Sequence, residues 1–151
     1  MTYLIRLPDG YEISDDAARL DVEAVHAFIA GDSYWGMGRA RTDMVRAIAG
    51  SLCFGLYAPD GHQAGFARLV TDRALAAHLA DVFVLPAHRG RGLSKALIAA
   101  MLAHPDLRGV ERWTLSTADA HGLYARFGFG PHPDVTTQMW RLKRPDTPAP
   151  G

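Results

Sequence analysis

Three positive side chains surround a pair of glycines in the run Arg89-Gly90-Arg91-Gly92-Leu93-Ser94-Lys95. Glycines at this spacing let a tight turn present several backbone N–H groups outward, and the flanking charges reinforce them. The run is framed by two periodic segments. Before it, Asp81-Val82-Phe83-Val84-Leu85 is apolar, β-branched or aromatic, which reads as a buried strand ended by Pro86. After it, Leu93, Ala96, Leu97, Ala100 and Met101 recur at helical spacing. A strand, a glycine turn and a helix N-terminus with nearby cations make a site for a phosphorylated ligand.

Two common phosphate motifs do not fit. A P-loop needs Gly-Lys-Ser/Thr four residues after a first glycine, whereas Ser94 precedes Lys95. A dinucleotide fingerprint needs a third glycine where Lys95 stands, and an acidic residue after the next strand. The residues match Val-x-Pro-x-x-Arg-Gly-x-Gly-x-(Gly/Ala/Ser), from Val84 to Ser94. This string resembles the coenzyme A pyrophosphate loop of the GNAT superfamily of N-acetyltransferases. A second segment, residues 117–129, resembles the family pattern Asn-x-x-Ala-x-x-Leu-Tyr-x-x-x-Gly-Phe. Ala120, Leu123, Tyr124, Gly128 and Phe129 fall on its positions, and Thr117 stands where many members have Asn.

The resemblance implies acetyl-CoA as co-substrate and a primary amine, on a small molecule or a peptide, as acceptor. Two parallel strands should splay apart to admit the pantetheine arm, with backbone groups of Phe83, Val84 and Leu85 pairing with it as a strand would. Main-chain N–H groups of Gly90, Arg91, Gly92, Leu93, Ser94 and Lys95, with the Arg89 side chain beside them, should hold the pyrophosphate. Thr117 is expected near the pantetheine. Arg126 either reaches the 3′-phosphate or faces solvent. Tyr124 is the implied general acid for the leaving thiolate. Asp81, Asp32 and His78 are the candidates for the base that frees the amine of its proton, with Asp81 read as the start of the key strand. Tyr34 and Trp35, in the loop 32–40, and the connection 72–77 are expected to line the acceptor site. A non-catalytic acyl-CoA-binding module on the same fold is the rival reading.

The rest of the chain supplies a scaffold. At 151 residues it suits one domain with one substantial core. The fold expected is mixed α/β: a mostly antiparallel sheet of about six to seven strands with a splayed parallel pair, flanked by about four helices. Strands are read at 3–7 or as a lead-in, at 11–14, 52–58, 63–71, up to Leu85, at 111–116 and at 136–142. Helices are read from Asp21 to Gly31, from Thr42 to Ser51 with Val45, Ile48 and Ala49 inward, from Leu93 onward and at 118–126. The domain is drawn as residues 1–143, followed by a flexible Pro-rich tail at 144–151.

Sixteen basic residues balance sixteen acidic ones, so no global field recruits nucleic acid or an anionic membrane. The single cysteine, Cys53, sits in an apolar run and reads as a buried strand residue. Seven scattered histidines show no metal-ligand spacing, and no metal is expected. The sequence reads as a cytoplasmic protein with neither leader nor membrane span, compatible with homodimer formation.

Overall fold

A computed structural model describes residues 2–143. Six strands follow one another across a single sheet: β1 (Leu4–Arg6), β2 (Glu12–Ser14), β3 (Leu52–Tyr57), β4 (Gln63–Thr71), β5 (Ala76–Val84) and β6 (Arg112–Thr114). Neighbours are antiparallel except β5 and β6, which run parallel. That exception follows from the connection. A helix, α3 (Leu93–Leu102), carries the chain back between them, as a parallel pair requires. Helices α1 (Val22–Asp32) and α2 (Arg41–Ala49) lie between β2 and β3 in the chain, and α4 (His121–Ala125) follows β6.

The strand pleat sorts the core into two. On β3, Phe54 and Leu56 pack with Ile13, Leu69, Leu97, Ile98 and Met101. The residue between Leu52 and Phe54, Cys53, packs instead with Val25, Phe28, Ile29, Met44, Phe66 and Phe83. Thus α3 covers one face, and α1 with α2 the other. Burial pushes the Cys53 thiol up to about 12, which leaves it protonated and inert.

One irregularity shapes the site. The β4–β5 register slips between Phe66 and Arg68, and Asp81 takes a φ of 49°. This is a bulge on β5. Before it, Ala77 and Leu79 pack in the α3-side core; after it, Val84 does, while Phe83 stacks on Phe28 with ring centroids 4.1 Å apart. The extra residue therefore shifts the alternation by one. Asp81 lies in mid-strand at this bulge, which corrects its reading as the first residue of the strand.

Other expectations need correction. Residues 136–142 form no strand. Asp134 accepts hydrogen bonds from the N–H (3.0 Å) and hydroxyl (2.5 Å) of Thr136, which winds Val135–Thr137 into a 3-10 turn. That local bonding competes with extended pairing, and Met139, Trp140 and Leu142 stay exposed. In α2 Met44 is buried and Ile48 packs partly buried against the same cluster, as expected for Ile48, whereas Val45 and Ala49 are exposed. Its few apolar residues fix the helix phase weakly, and the helix starts at Arg41 rather than after Thr42. Residues 117–120 form a turn before α4, with the Thr117 hydroxyl accepting from the Ala120 N–H at 3.0 Å. The proposed tail at 144–151 lies outside the described residues. Among the described residues, no helix is long and apolar enough to cross a membrane.

Candidate active site

Strands β5 and β6 pair only at Ala76–Arg112, Ala77–Trp113 and His78–Thr114. Beyond that point they part. Leu79 to Val82 form one wall of a cleft of about 450 Å³, and Leu115 to Ala120 form the other. Tyr34, Trp35, Arg39, Arg68, His78 and Tyr124 complete its lining. A gap of this size between two strand edges accepts an extended, partly polar ligand.

The glycine turn lies just beyond β5. Leu85 makes the last ladder bond, its N–H donating to Ala64 at 2.8 Å, and Pro86 opens a 3-10 turn over Pro86–His88. Gly90 and Gly92 then adopt φ of 80° and 74°, a conformation that side chains disfavour. A Cβ built on either would meet no atom within 4 Å, so both face open space. The N–H groups of residues 90–95 donate to no protein acceptor among the described residues. They converge at the N-terminus of α3, with Arg89, Arg91 and Lys95 exposed nearby. This cradle fits a pyrophosphate.

The backbone of β5 is more committed than expected. The N–H of Leu85 points to β4, and the Phe83 carbonyl lies 2.8 Å from where a Cβ on Gly65 of β4 would sit. Phe83 and Leu85 therefore address β4, and Val84 between them addresses the open side. The Val84 carbonyl accepts from the Arg89 Nε at 2.9 Å, so Arg89 ties the glycine loop to the strand. Of the three residues expected to pair with pantetheine, only Val84 turns its backbone away from β4, and its carbonyl is already engaged by Arg89.

Tyr124 is buried in the cleft wall, packed edge-on to Phe129 at 5.9 Å. Its hydroxyl makes no hydrogen bond among the described residues. Burial first, then the proximity of Tyr34 and Asp119, raises its pKa above the ordinary tyrosine value. The phenol is thus a proton donor at neutral pH.

The 33–40 loop is pinned to α1. The Ser33 hydroxyl donates to the Ile29 carbonyl (2.7 Å) and accepts from the Gly36 N–H (3.0 Å), while the Gly38 N–H donates to Ala30 (2.8 Å). Gly36 has no room for a side chain, since a Cβ would lie 2.4 Å from Ile29 Cγ2. So held, the loop places Tyr34 and Trp35 on the cleft. The Tyr34 hydroxyl accepts from the Ala118 N–H at 2.9 Å and joins the two walls.

Asp81 is 4% exposed and engaged through both oxygens. Its Oδ2 accepts from Arg39 Nη1 and Arg68 Nε, both at 2.8 Å, and its Oδ1 accepts from Trp35 Nε1 at 2.9 Å. Burial alone would raise its pKa, but hydrogen bonds from Arg39 and then Arg68 outweigh this and hold it below the usual carboxylate value. A carboxylate so paired is a weak base. His78, at the apex of the cleft, contacts the Thr114 hydroxyl through Nδ1 at 2.8 Å. Burial, then Arg68, lowers its pKa, so the imidazole is neutral at pH 7.

Asp32 ends α1 and does not line the cleft; neither does the 72–77 connection. Asp72 instead accepts from the N–H groups of Ala74, Leu75 and Ala76 and closes its own turn. Arg126 is exposed at the end of α4. Arg39 and Arg68 were not anticipated. The available signal was Arg68 itself, a charge within the apolar run Gly65-Phe66-Ala67-Arg68-Leu69-Val70, which demands a buried partner.

The chain's relatives share this architecture. The family model described as Acetyltransferase (GNAT) domain matches residues 50–131, from the end of α2 through both motifs. The "Putative acetyltransferase FG08082" of Gibberella zeae is 31% identical over 77% of this chain and 76% of its own length. A crystal structure of a GNAT-family protein from Xanthomonas campestris pv. campestris superposes with a TM-score of 0.85. It is 47% identical, over 88% of this chain and 93% of that one. An acetyltransferase-like structure from Deinococcus radiodurans R1, at 19% identity and a TM-score of 0.69 over 94% of each chain, shares the fold. The chain belongs to the GNAT acetyltransferase family.

Proposed function

We propose that this protein transfers the acetyl group of acetyl-CoA to a primary amine by direct attack. The observation that carries the reading is the parting of β5 and β6 after His78 and Thr114, with a row of N–H groups at the α3 N-terminus that have no acceptor among the described residues and a protonated phenol, Tyr124, in the cleft wall. Acetyl-CoA supplies an activated thioester. The N–H groups of residues 90–95 would bind its pyrophosphate, with Arg89, Arg91 and Lys95 adding charge. Each charge-assisted bond contributes about 1.5–3 kcal/mol net. Arg126, exposed beyond Tyr124, would take the 3′-phosphate, and Thr117, on the cleft wall, would lie along the pantetheine path.

In the transfer, a C–N bond forms as the C–S bond breaks. Tyr124 gives its proton to the leaving sulfur, and the proton lost by the amine passes to His78 through water. Neutral His78 is a better acceptor for it than Asp81, whose role is to hold Arg39, Arg68 and Trp35 in place. Tyr34 and Trp35 would bound the acceptor end.

The test is a screen of primary amines with acetyl-CoA, following thiol release and the acetylated product by mass. Amine-dependent release of one thiol per acetylated amine is expected. Tight CoA binding with no transfer to any amine would replace the enzyme with a non-catalytic acyl-CoA-binding module.

A further inference from the structure

We infer that the acceptor is an amino-acid-like compound whose carboxylate is held by Arg39 and Arg68. For its amine, the inference rests on the transferase reading above. Two guanidinium groups share a single carboxylate, Asp81, and both line the cleft. Their side chains are only 23% and 14% exposed. A buried Asp81 would be neutralised by one arginine. The second brings a further desolvated charge beside a like charge, which is costly without another anion.

Asp81 cannot fill that role itself, because it carries one negative charge against two positive ones and both arginines already bind the same oxygen, Oδ2. The arginines do have capacity. A guanidinium has five N–H donors. Arg39 donates only through Nη1, to Asp81 and to the Met44 sulfur at 3.5 Å. Arg68 donates through Nε to Asp81 and through Nη1 to the Ser51 hydroxyl at 3.1 Å. Three N–H groups on each arginine thus find no protein acceptor among the described residues. Their fork geometry suits a planar carboxylate.

The other titratable groups on the cleft complete the pattern. His78 is neutral, and the Tyr34 hydroxyl is bonded across the cleft to the Ala118 N–H. Asp119 is exposed on the opposite wall, beside Tyr124. The cleft is therefore cationic at the Arg39–Arg68 end and weakly anionic near the phenol. An acceptor with its carboxylate on the arginines and its amine toward Tyr124 matches that polarity. A simple polyamine or an uncharged amine does not.

The experiment compares ω-amino acids of two to six carbons with their amides as acceptors. It also compares binding of the matching N-acetyl acids and N-acetyl amides to the CoA-loaded protein by calorimetry. The acids are expected to exceed the amides by roughly tenfold or more in kcat/KM and in affinity for at least one chain length. In Arg39→Gln and in Arg68→Lys that ratio should collapse toward unity, with CoA affinity unchanged as the control for folding. Equal use of acid and amide by wild type overturns the inference while leaving the transferase reading intact. So does a preference that survives in both variants. Discrimination between the N-acetyl acids and amides without transfer to any amine would support the carboxylate site and defeat the transferase reading alone.

Discussion

Tyr124→Phe is expected to lower kcat for amine acetylation by about 10²-fold or more, the range for loss of a general acid. KM for acetyl-CoA should stay within about twofold, because the pyrophosphate cradle lies on another element. The substitution removes one oxygen from a buried ring whose hydroxyl has no partner among the described residues, and it keeps the edge contact with Phe129. Stability should therefore change by less than about 1 kcal/mol. The pH profile separates proton donation from packing. The raised Tyr124 pKa keeps the donor protonated through neutral pH, so its loss should limit wild-type kcat only above the ordinary tyrosine value near 10. The variant should lack that alkaline limb. An unchanged kcat would remove Tyr124 from the chemistry.

Asp81→Asn is expected to destabilise the fold by about 3 kcal/mol, the scale for breaking a buried ion pair from one side. The variant strands Arg39 and Arg68, whose side chains are largely buried, as two like charges without a counterion. Chemical denaturation at pH 7 measures the loss. The sign with pH is definite. Asp81 has a depressed folded pKa, so its contribution is complete above the unfolded carboxylate value of about 3.9 and disappears as pH falls through the lower folded value. The gap between wild type and variant should thus be constant from neutral pH down to about 4 and narrow below it. A variant as stable as wild type at pH 7 would mean that the cluster contributes nothing net.

What could be read from the sequence was what is local in the chain. The β5–turn–α3 string and the Thr117–Phe129 segment each fit within some seventeen residues or fewer, where periodicity, glycine conformation and a motif act together. The parallel pairing of β6 with β5 accords with the helix α3 between them, since a crossover returns the chain to the same end of the sheet. Arg68 in its apolar run signalled a buried partner, but the membership of the Asp81 cluster was hidden, because Arg39 and Arg68 lie 42 and 13 residues from Asp81 and meet it only through the sheet and the 33–40 loop. The bulge at Asp81 was hidden for a related reason. An unbroken apolar run such as Val82-Phe83-Val84-Leu85 gives no alternation that could reveal a slipped register. It also concealed that Phe83 and Leu85 turn their backbones toward β4. At residues 136–142 the β-propensity was real, but an Asp134-capped turn prevailed.

The most direct test of the central claim is a calorimetric titration of acetyl-CoA into wild type and into Gly92→Glu. Gly92 holds a φ of 74° in the open cradle at the start of α3, and glutamate would bring both backbone strain and a negative charge to the pyrophosphate position. Wild type is expected to bind with an affinity on the order of micromolar, and the folded variant to lose binding by at least about 100-fold. Equal binding by the variant would place acetyl-CoA elsewhere, and no binding by folded wild type would contradict the account.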